Sequence, residues 1–206
     1  DPSMHSSQNE QDSRFFARFA MLPALEPSNQ QEAYDMVHDG FELSEKYKVP
    51  VMIRITTRLA HSRAGVVRRQ ARDQNTFGMP ADKRQFVLLP AIARKKYALH
   101  LAAQDDFLKE SETMGYNQYI AGNNKKLGII ACGLGYNYLM ENYPDRKLPH
   151  PVVKISQYPL PIAMIDSLYE ECDSILVIEE GYPIVEEWLK GLLNKGKKIM
   201  GRLDGS

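Results

Sequence analysis

From Leu127 to Met200 the sequence alternates between short apolar, β-branched runs and stretches with helical spacing, and this alternation constrains the fold more than any other feature. Leu127–Ala131 reads as a buried strand, Gly133 and Gly135 allow a tight turn, and Tyr136, Leu139, Met140 and Tyr143 recur at helical spacing. Val152–Ile155 is a strand between prolines, and Ile162–Glu171 a helix entered through Pro159 and Pro161. Ser174–Ile178 is a further strand, Ile184–Leu193 a helix with Pro183 as its first residue, and Lys198–Met200 a last short strand. A β-α-β-α-β-α-β order implies an α/β class, with a parallel sheet and right-handed crossovers.

The strand–glycine turn–helix unit could seat a phosphate on a helix N-terminus, which makes Gly133 and Gly135 a candidate anion-binding turn. The dinucleotide fingerprint, however, needs a third glycine where Tyr138 stands, and the strand candidate Pro151–Ser156 does not end in a ribose-binding acid. Packing and turn formation are therefore the reading that the spacing favours. Glu179 and Glu180 close a strand at its carboxyl end, where α/β sheets place their sites; they are candidate acids or bases, or acidic groups near the next helix N-terminus. Glu186 and Glu187 follow on that helix and are expected to face solvent.

The first half is less regular. Asp1–Arg14 holds almost nothing apolar and reads as a loop, yet His5, Ser6, Ser7, Gln8, Asn9 and Glu10 concentrate donors and acceptors there. Phe15, Phe16 and Phe19 suggest a short helix packed on a core, and Leu22–Leu25 a short strand. Ser28 and Gln31 read as a capping box opening a helix with Ala33, Val37, Phe41 and Tyr47 near one face. His38 is read as a surface or interface residue rather than a ligand, and Val51–Thr57 as a β-branched strand. Arg58–Arg72 carries five arginines and His61; without interleaved aromatics, a solvated or subunit-facing connector fits better than a nucleic-acid site. Leu89–Met114 reads as one long helix that Gly115–Asn124 breaks. The expected organisation is an α/β piece over 1–67, a connector with a long helix over 68–124, and a second α/β domain over 125–206.

The 26 basic and 26 acidic residues balance, which favours neither nucleic acid nor a membrane surface as partner, and no apolar run approaches the length of a membrane span. The two cysteines, Cys132 and Cys172, give neither metal spacing nor a disulfide framework and read as buried thiols. The polar, acidic first residues do not read as a signal peptide, and a cytoplasmic protein is expected. The absence of an initiator Met points to a fragment of a longer protein.

Five stretches carry a family resemblance: DPSMHSSQNEQDSR at 1–14, LEPSNQQEAYD at 25–35, VPVMIRITTRLAHSR at 49–63, LGIIACGLGYNYLMENYP at 127–144 and ILVIEEGYPIVEEWL at 175–189. With these the chain resembles the alpha subunit of indolepyruvate ferredoxin oxidoreductases, which are thiamine-diphosphate-dependent 2-oxoacid oxidoreductases. The resemblance implies the end of a pyrimidine-type thiamine-diphosphate domain, a connector, and a transketolase C-terminal-like parallel α/β domain. The implied chemistry is addition of the thiazolium carbon to an aryl 2-oxoacid and loss of carbon dioxide. One-electron oxidation through 4Fe-4S clusters to ferredoxin follows, with acyl transfer to coenzyme A. The implied partners are a beta subunit, ferredoxin, the 2-oxoacid and coenzyme A, in an oligomer.

The sequence departs from the full family pattern. The activating glutamate would precede residue 1, and neither the Gly-Asp-Gly motif for diphosphate and Mg²⁺ nor a cysteine cluster is present. What carries over is the polar loop, which resembles the Gly-Pro-Thr-His loop of transketolases. The resemblance makes His5 the candidate catalytic donor and Ser6, Ser7, Gln8 and Glu10 candidate lining of the cofactor cleft. The fragment alone is expected to be inactive and to hold no cofactor. A nucleotide- or coenzyme-A-binding or subunit-assembly module without catalysis is the alternative.

Overall fold

The computed structural model describes residues 2–4, 9–74, 76–192 and 198–201. The fold is α/β, with two sheets linked by the direct run of the chain from β5 of one into β6 of the other. The larger has five strands in the order β3-β5-β4-β7-β8: Gln118–Ile120, Val152–Ile155, Gly128–Cys132, Ser174–Ile178 and Lys198–Met200. Its last four run parallel, as the alternation predicts, while β3 pairs antiparallel with β5 at the edge. The smaller sheet, β2-β1-β6, takes Met52–Ile53 and Ala24–Leu25 from the first half and Gln157–Tyr158 from the second. β1 lies parallel to β2 and antiparallel to β6.

Only Ser156 separates β5 from β6, so the chain steps at that residue from the large sheet to the small one. Asn117 holds the step. Its side-chain oxygen accepts from the Ser156 and Gln157 amides at 2.7 and 2.9 Å, and its Nδ2 donates to the Gln157 and Ser111 carbonyls. These are buried backbone groups that otherwise lack partners at a strand break.

The helices are α1 Ser13–Ala20, α2 Gln30–Tyr47, α3 Thr57–His61, α4 Pro90–Ala102, α5 Gln104–Thr113, α6 Leu134–Glu141, α7 Ile162–Glu171 and α8 Ile184–Leu192. The main core sits between the large sheet and α7 and α8, with Ile130, Val153, Ile155, Leu168, Ile175 and Ile184 at its centre. On the other face Ile129, Ala131 and Val152 meet Leu139, Tyr136 and Tyr143 of and beyond α6.

Several expectations are corrected. The helix expected over Leu89–Met114 is two, divided at Ala103, and the break Gly115–Asn124 contains β3. The strand expected over Val51–Thr57 shortens to β2 because Thr57 already opens α3. The cap of α2 is Asn29, which accepts from the Glu32 amide at 2.9 Å, while Glu32 reaches back to the amide and hydroxyl of Ser28. The capping-box logic holds one residue later than the Ser28–Gln31 spacing implies. On α2 the buried side is Met36, Gly40 and Leu43, and both Val37 and Phe41 are exposed. On α1 the expected core residues Phe15, Phe16 and Phe19 are exposed, and the buried positions are Arg14 and Ala17. A charged group takes the inward position because a set of carboxylates waits for it.

Candidate functional site

The carboxyl ends of β1, β2, β4, β5 and β7 converge on one seam between the sheets. The residue after β1 is Glu26, that after β2 is Arg54, β4 leads into Gly133, β5 into Ser156, and β7 into Glu179 and Glu180. Asp12, the N-cap of α1, and Arg14 enter the same seam from the first helix.

Arg14 is its centre. Its Nε and Nη2 donate to Asp12 at 2.9 and 2.5 Å, its Nη1 to Glu179 Oε2 at 2.7 Å, and its Nη2 also to the carbonyls of Glu180 and Tyr182. Glu26 accepts from Arg54 Nη1 at 2.5 Å and from the Tyr158 hydroxyl at 2.7 Å. Arg54 Nε lies 3.5 Å from Asp12 and joins the two halves of the network. Every one of these side chains is buried. At the rim, Tyr138 donates to Glu180 at 3.0 Å and accepts from Arg58 at 2.9 Å, while Glu180 Oε2 takes no hydrogen bond among the described residues.

Three buried carboxylates, Asp12, Glu26 and Glu179, thus face two guanidinium groups, Arg14 and Arg54. Burial pushes the Glu179 carboxyl up, against Arg14 and the Val185 and Glu186 amides that donate to it from the start of α8. Burial also opposes ionisation of Asp12, but the hydrogen bond and charge of Arg14, with Arg54 behind, hold that carboxyl below its ordinary value. Arg14 itself would be lowered by burial; the surrounding Tyr158, Glu26 and Asp12 raise it instead. Burial, with Glu26 and Cys132 alongside, pushes the Tyr158 hydroxyl up, and burial does the same to the Cys132 thiol. A saturated network of this kind suits holding a backbone in place more than transferring protons, because each carboxylate oxygen is already committed to a donor.

What it holds is the end of the polar loop. Asp12 is buried while Glu10, two residues earlier, is half-buried. The other candidate residues of that loop, His5, Ser6, Ser7 and Gln8, lie outside the described residues. At the candidate anion-binding turn, Gly133 has φ +48°, and a Cβ there would stand 2.6 Å from Glu26 Oε1. The chain's own carboxylate therefore occupies the space over that glycine. A Cβ on Gly135 would meet the Ile178 carbonyl at 2.9 Å, so this glycine lets α6 lie against β7. The arginine cluster is largely committed as well: Arg69 pairs with Asp35 and Asp39, and Arg72 with Glu42, along an acidic stripe of α2. Glu187 faces solvent as expected, but Glu186 is buried, with Lys190 donating to it at 2.7 Å.

Sequence reasoning found Glu179 and Glu180 from their strand-end position but missed Asp12, Arg14, Glu26, Arg54 and Tyr158. Glu26 was available by the same rule, since it follows the expected strand Leu22–Leu25; Arg54 was not, because the expected strand ran on to Thr57, and Arg14 gave no such signal, sitting among phenylalanines. Among the described residues no group of three or more His, Cys, Asp or Glu is placed to hold a metal ion. None of the described helices is long and apolar enough to cross a membrane.

Beside the seam lies an apolar cleft of about 570 Å³ between α1, α5, α7 and α8. Phe107, Tyr158, Leu160 and Trp188 line it, Asp166 and Gln104 stand among the lining, and Arg18 lies over the Trp188 ring at 4.4 Å.

An α/β chain whose parallel strands end in a buried ionic seam defines the class. No family model matches it. Its sequence nevertheless fits a segment of the indolepyruvate oxidoreductase subunit IorA. The subunit of that name from Archaeoglobus fulgidus is 39% identical over 209 residues, which span all of this chain and 33% of the relative. That from Methanothermobacter thermautotrophicus is 34% identical over 212 residues, all of this chain and 34% of the relative. The chain thus spans about a third of the length of these curated relatives. Among solved structures, a 2-oxoglutarate:ferredoxin oxidoreductase from Magnetococcus marinus superposes with a TM-score of 0.61 at 15% identity, over 93% of this chain and 42% of that one. At that identity the likeness concerns the fold.

Proposed function

We propose that this chain is part of the alpha subunit of a cytoplasmic, thiamine-diphosphate-dependent oxidoreductase. That enzyme oxidatively decarboxylates aryl 2-oxoacids such as indolepyruvate to the acyl-CoA and passes the electrons to ferredoxin. The observation that carries the reading is the whole-chain match to subunits named for indolepyruvate oxidoreduction, at 34–39% identity. The described residues offer no metal-holding group and no cysteine cluster, so thiamine diphosphate, Mg²⁺ and the 4Fe-4S clusters are assigned to the rest of the protein and its beta subunit.

The role proposed for this segment is to support the cleft wall. The Asp12–Arg14–Glu179 clamp ties the end of the polar loop to the carboxyl end of β7. In this reading His5 is a donor to the substrate carboxylate or the developing oxyanion, and Ser6, Ser7, Gln8 and Glu10 are the residues proposed to line the cofactor cleft. Gly133 and Gly135 serve packing in this reading, since an anion over Gly133 would have to displace Glu26.

The test is 2-oxoacid-dependent reduction of an artificial acceptor by the intact two-subunit enzyme. His5→Ala is expected to lower kcat/KM by about 100-fold, the scale of losing one such donor, and His5→Gln to recover part of it. A loss under about threefold, less than ~1 kcal/mol, removes His5 from the site. Titration of the isolated chain with thiamine diphosphate should give no tight binding; a micromolar isotherm would show that the cofactor site lies within it.

A further inference from the structure

Helix α1 carries two arginines one turn apart, and they have different fates. Arg14 is buried and committed to Asp12, Glu179 and two carbonyls of the seam. Arg18 is exposed, and among the described residues its guanidinium makes no hydrogen bond or ion pair; its contact is the Trp188 ring, 4.4 Å away. With Ala17 and Met21, both arginines line the apolar cleft of about 570 Å³ that α1 shares with α5, α7 and α8.

That volume lies within the range of small-molecule sites, about 300–1,000 Å³, and suits a compound of about one or two rings. The wall is already formed. Phe107, Tyr158, Leu160, Ile165 and Leu189 are buried, and Tyr158 meets Trp188 edge to face at 6.3 Å. Ring faces and edges attract further rings, so the lining favours an aromatic occupant over an aliphatic one.

The charged groups narrow the class. A guanidinium stacked on Trp188 keeps its in-plane N–H groups directed away from the ring, in the fork that matches a carboxylate. Asp166 of α7 is the only acid among the described lining residues, and it repels a second negative charge. We propose that this cleft binds an aromatic monocarboxylate, its ring among Phe107, Tyr158 and Trp188 and its carboxylate on Arg18. The site reaches the seam, because Tyr158 lines the cleft and donates its hydroxyl to Glu26 at 2.7 Å, and Arg14 lines it while clamping Asp12. An occupant therefore packs behind the network that ties the polar loop to β7.

Trp188 is the only tryptophan of the 206 residues, so its emission reads the cleft directly. Phenylacetate should change that emission saturably, with a Kd of about 0.1–1 mM for so small a ligand. Phenylacetamide, of the same shape without the charge, should bind about tenfold more weakly, and cyclohexylacetate, which keeps the charge without the aromatic ring, about threefold more weakly. Arg18→Gln, read by calorimetry because the replaced group touches the reporter ring, should lose about tenfold for phenylacetate and nothing for phenylacetamide. No saturation up to about 10 mM, equal binding of either analogue, or wild-type affinity in Arg18→Gln each overturns the proposal. Should the isolated chain fail to fold, hydrogen exchange on the intact two-subunit enzyme decides. Phenylacetate should protect amides of α7 and α8 in the wild type and not in Arg18→Gln; protection absent from both, or equal in both, overturns it. These measurements read binding and not turnover, so this site can fail while the proposed function stands, and the reverse.

Discussion

Arg14 shows how much one residue can hold. Replacing it with Ala leaves Asp12 and Glu179 buried without their shared counter-charge. Unpairing a buried ion costs about 3–5 kcal/mol, so Arg14→Ala should lower the urea-unfolding free energy by that amount. Adding Asp12→Asn should recover part of it, because one stranded charge is then gone. The same cluster sets a pH dependence. Glu179 is raised above its ordinary 4.5 by burial, so the folded chain keeps a proton that the unfolded chain has released just above that value. Stability is therefore lost as pH rises through that interval. Asp12, held below its ordinary 3.8, contributes in the opposite sense: its stability is present above that value and lost as pH falls through the lowered one. Plotted from about pH 4.5 towards neutral, the urea midpoint of the wild type should fall relative to that of Glu179→Gln. Parallel curves would mean that Glu179 is ionised throughout.

At the scale of elements, the β4–α6 turn and the α2 cap each depend on a residue type that no neighbour can supply. Gly133→Ala forces a side chain into positive φ and its Cβ into contact with Glu26. Backbone strain of about 1–3 kcal/mol adds to the displacement of a carboxylate that Arg54 and Tyr158 hold. Thermal unfolding should fall far more for this change than for Gly191→Ala, a helical site with open space around its Cβ. Asn29→Ala removes one capping bond and should cost about 1 kcal/mol. Glu32→Ala should cost more, since Glu32 also accepts from Ser28 and from Lys154, tying α2 to β5 across the seam.

The whole molecule is coupled through the step from β5 to β6. β6 belongs by sequence to the second half and by pairing to the sheet of the first. Asn117 satisfies the backbone on both sides of that step. Asn117→Ala strands two buried amides and a carbonyl, each worth about 1–3 kcal/mol, and should be among the most damaging single substitutions in the chain. For the same reason both sheets should melt together. Calorimetry is expected to show one transition for the wild type, and two resolved transitions would mean that the shared strand does not bind the halves.

The parallel α/β order was legible from the sequence because it is written in local periodicity: β5, α7, β7 and β8 fall at the residues their patterns mark. Glu179 and Glu180 were legible as strand-end acids. The inward Arg14, the one-residue shift of the α2 cap and the burial of Glu186 were not, because each answers a partner distant in sequence. Asp12 and Glu179 draw Arg14 inward, Lys154 and Ser156 pull Glu32 into its cap, and the close approach of Gly201 encloses Glu186. Periodicity reports which face of an element avoids water. Which charges may also leave water is decided only when tertiary structure brings their counter-charges within hydrogen-bonding distance, since a buried ion without a partner costs more than the fold can return.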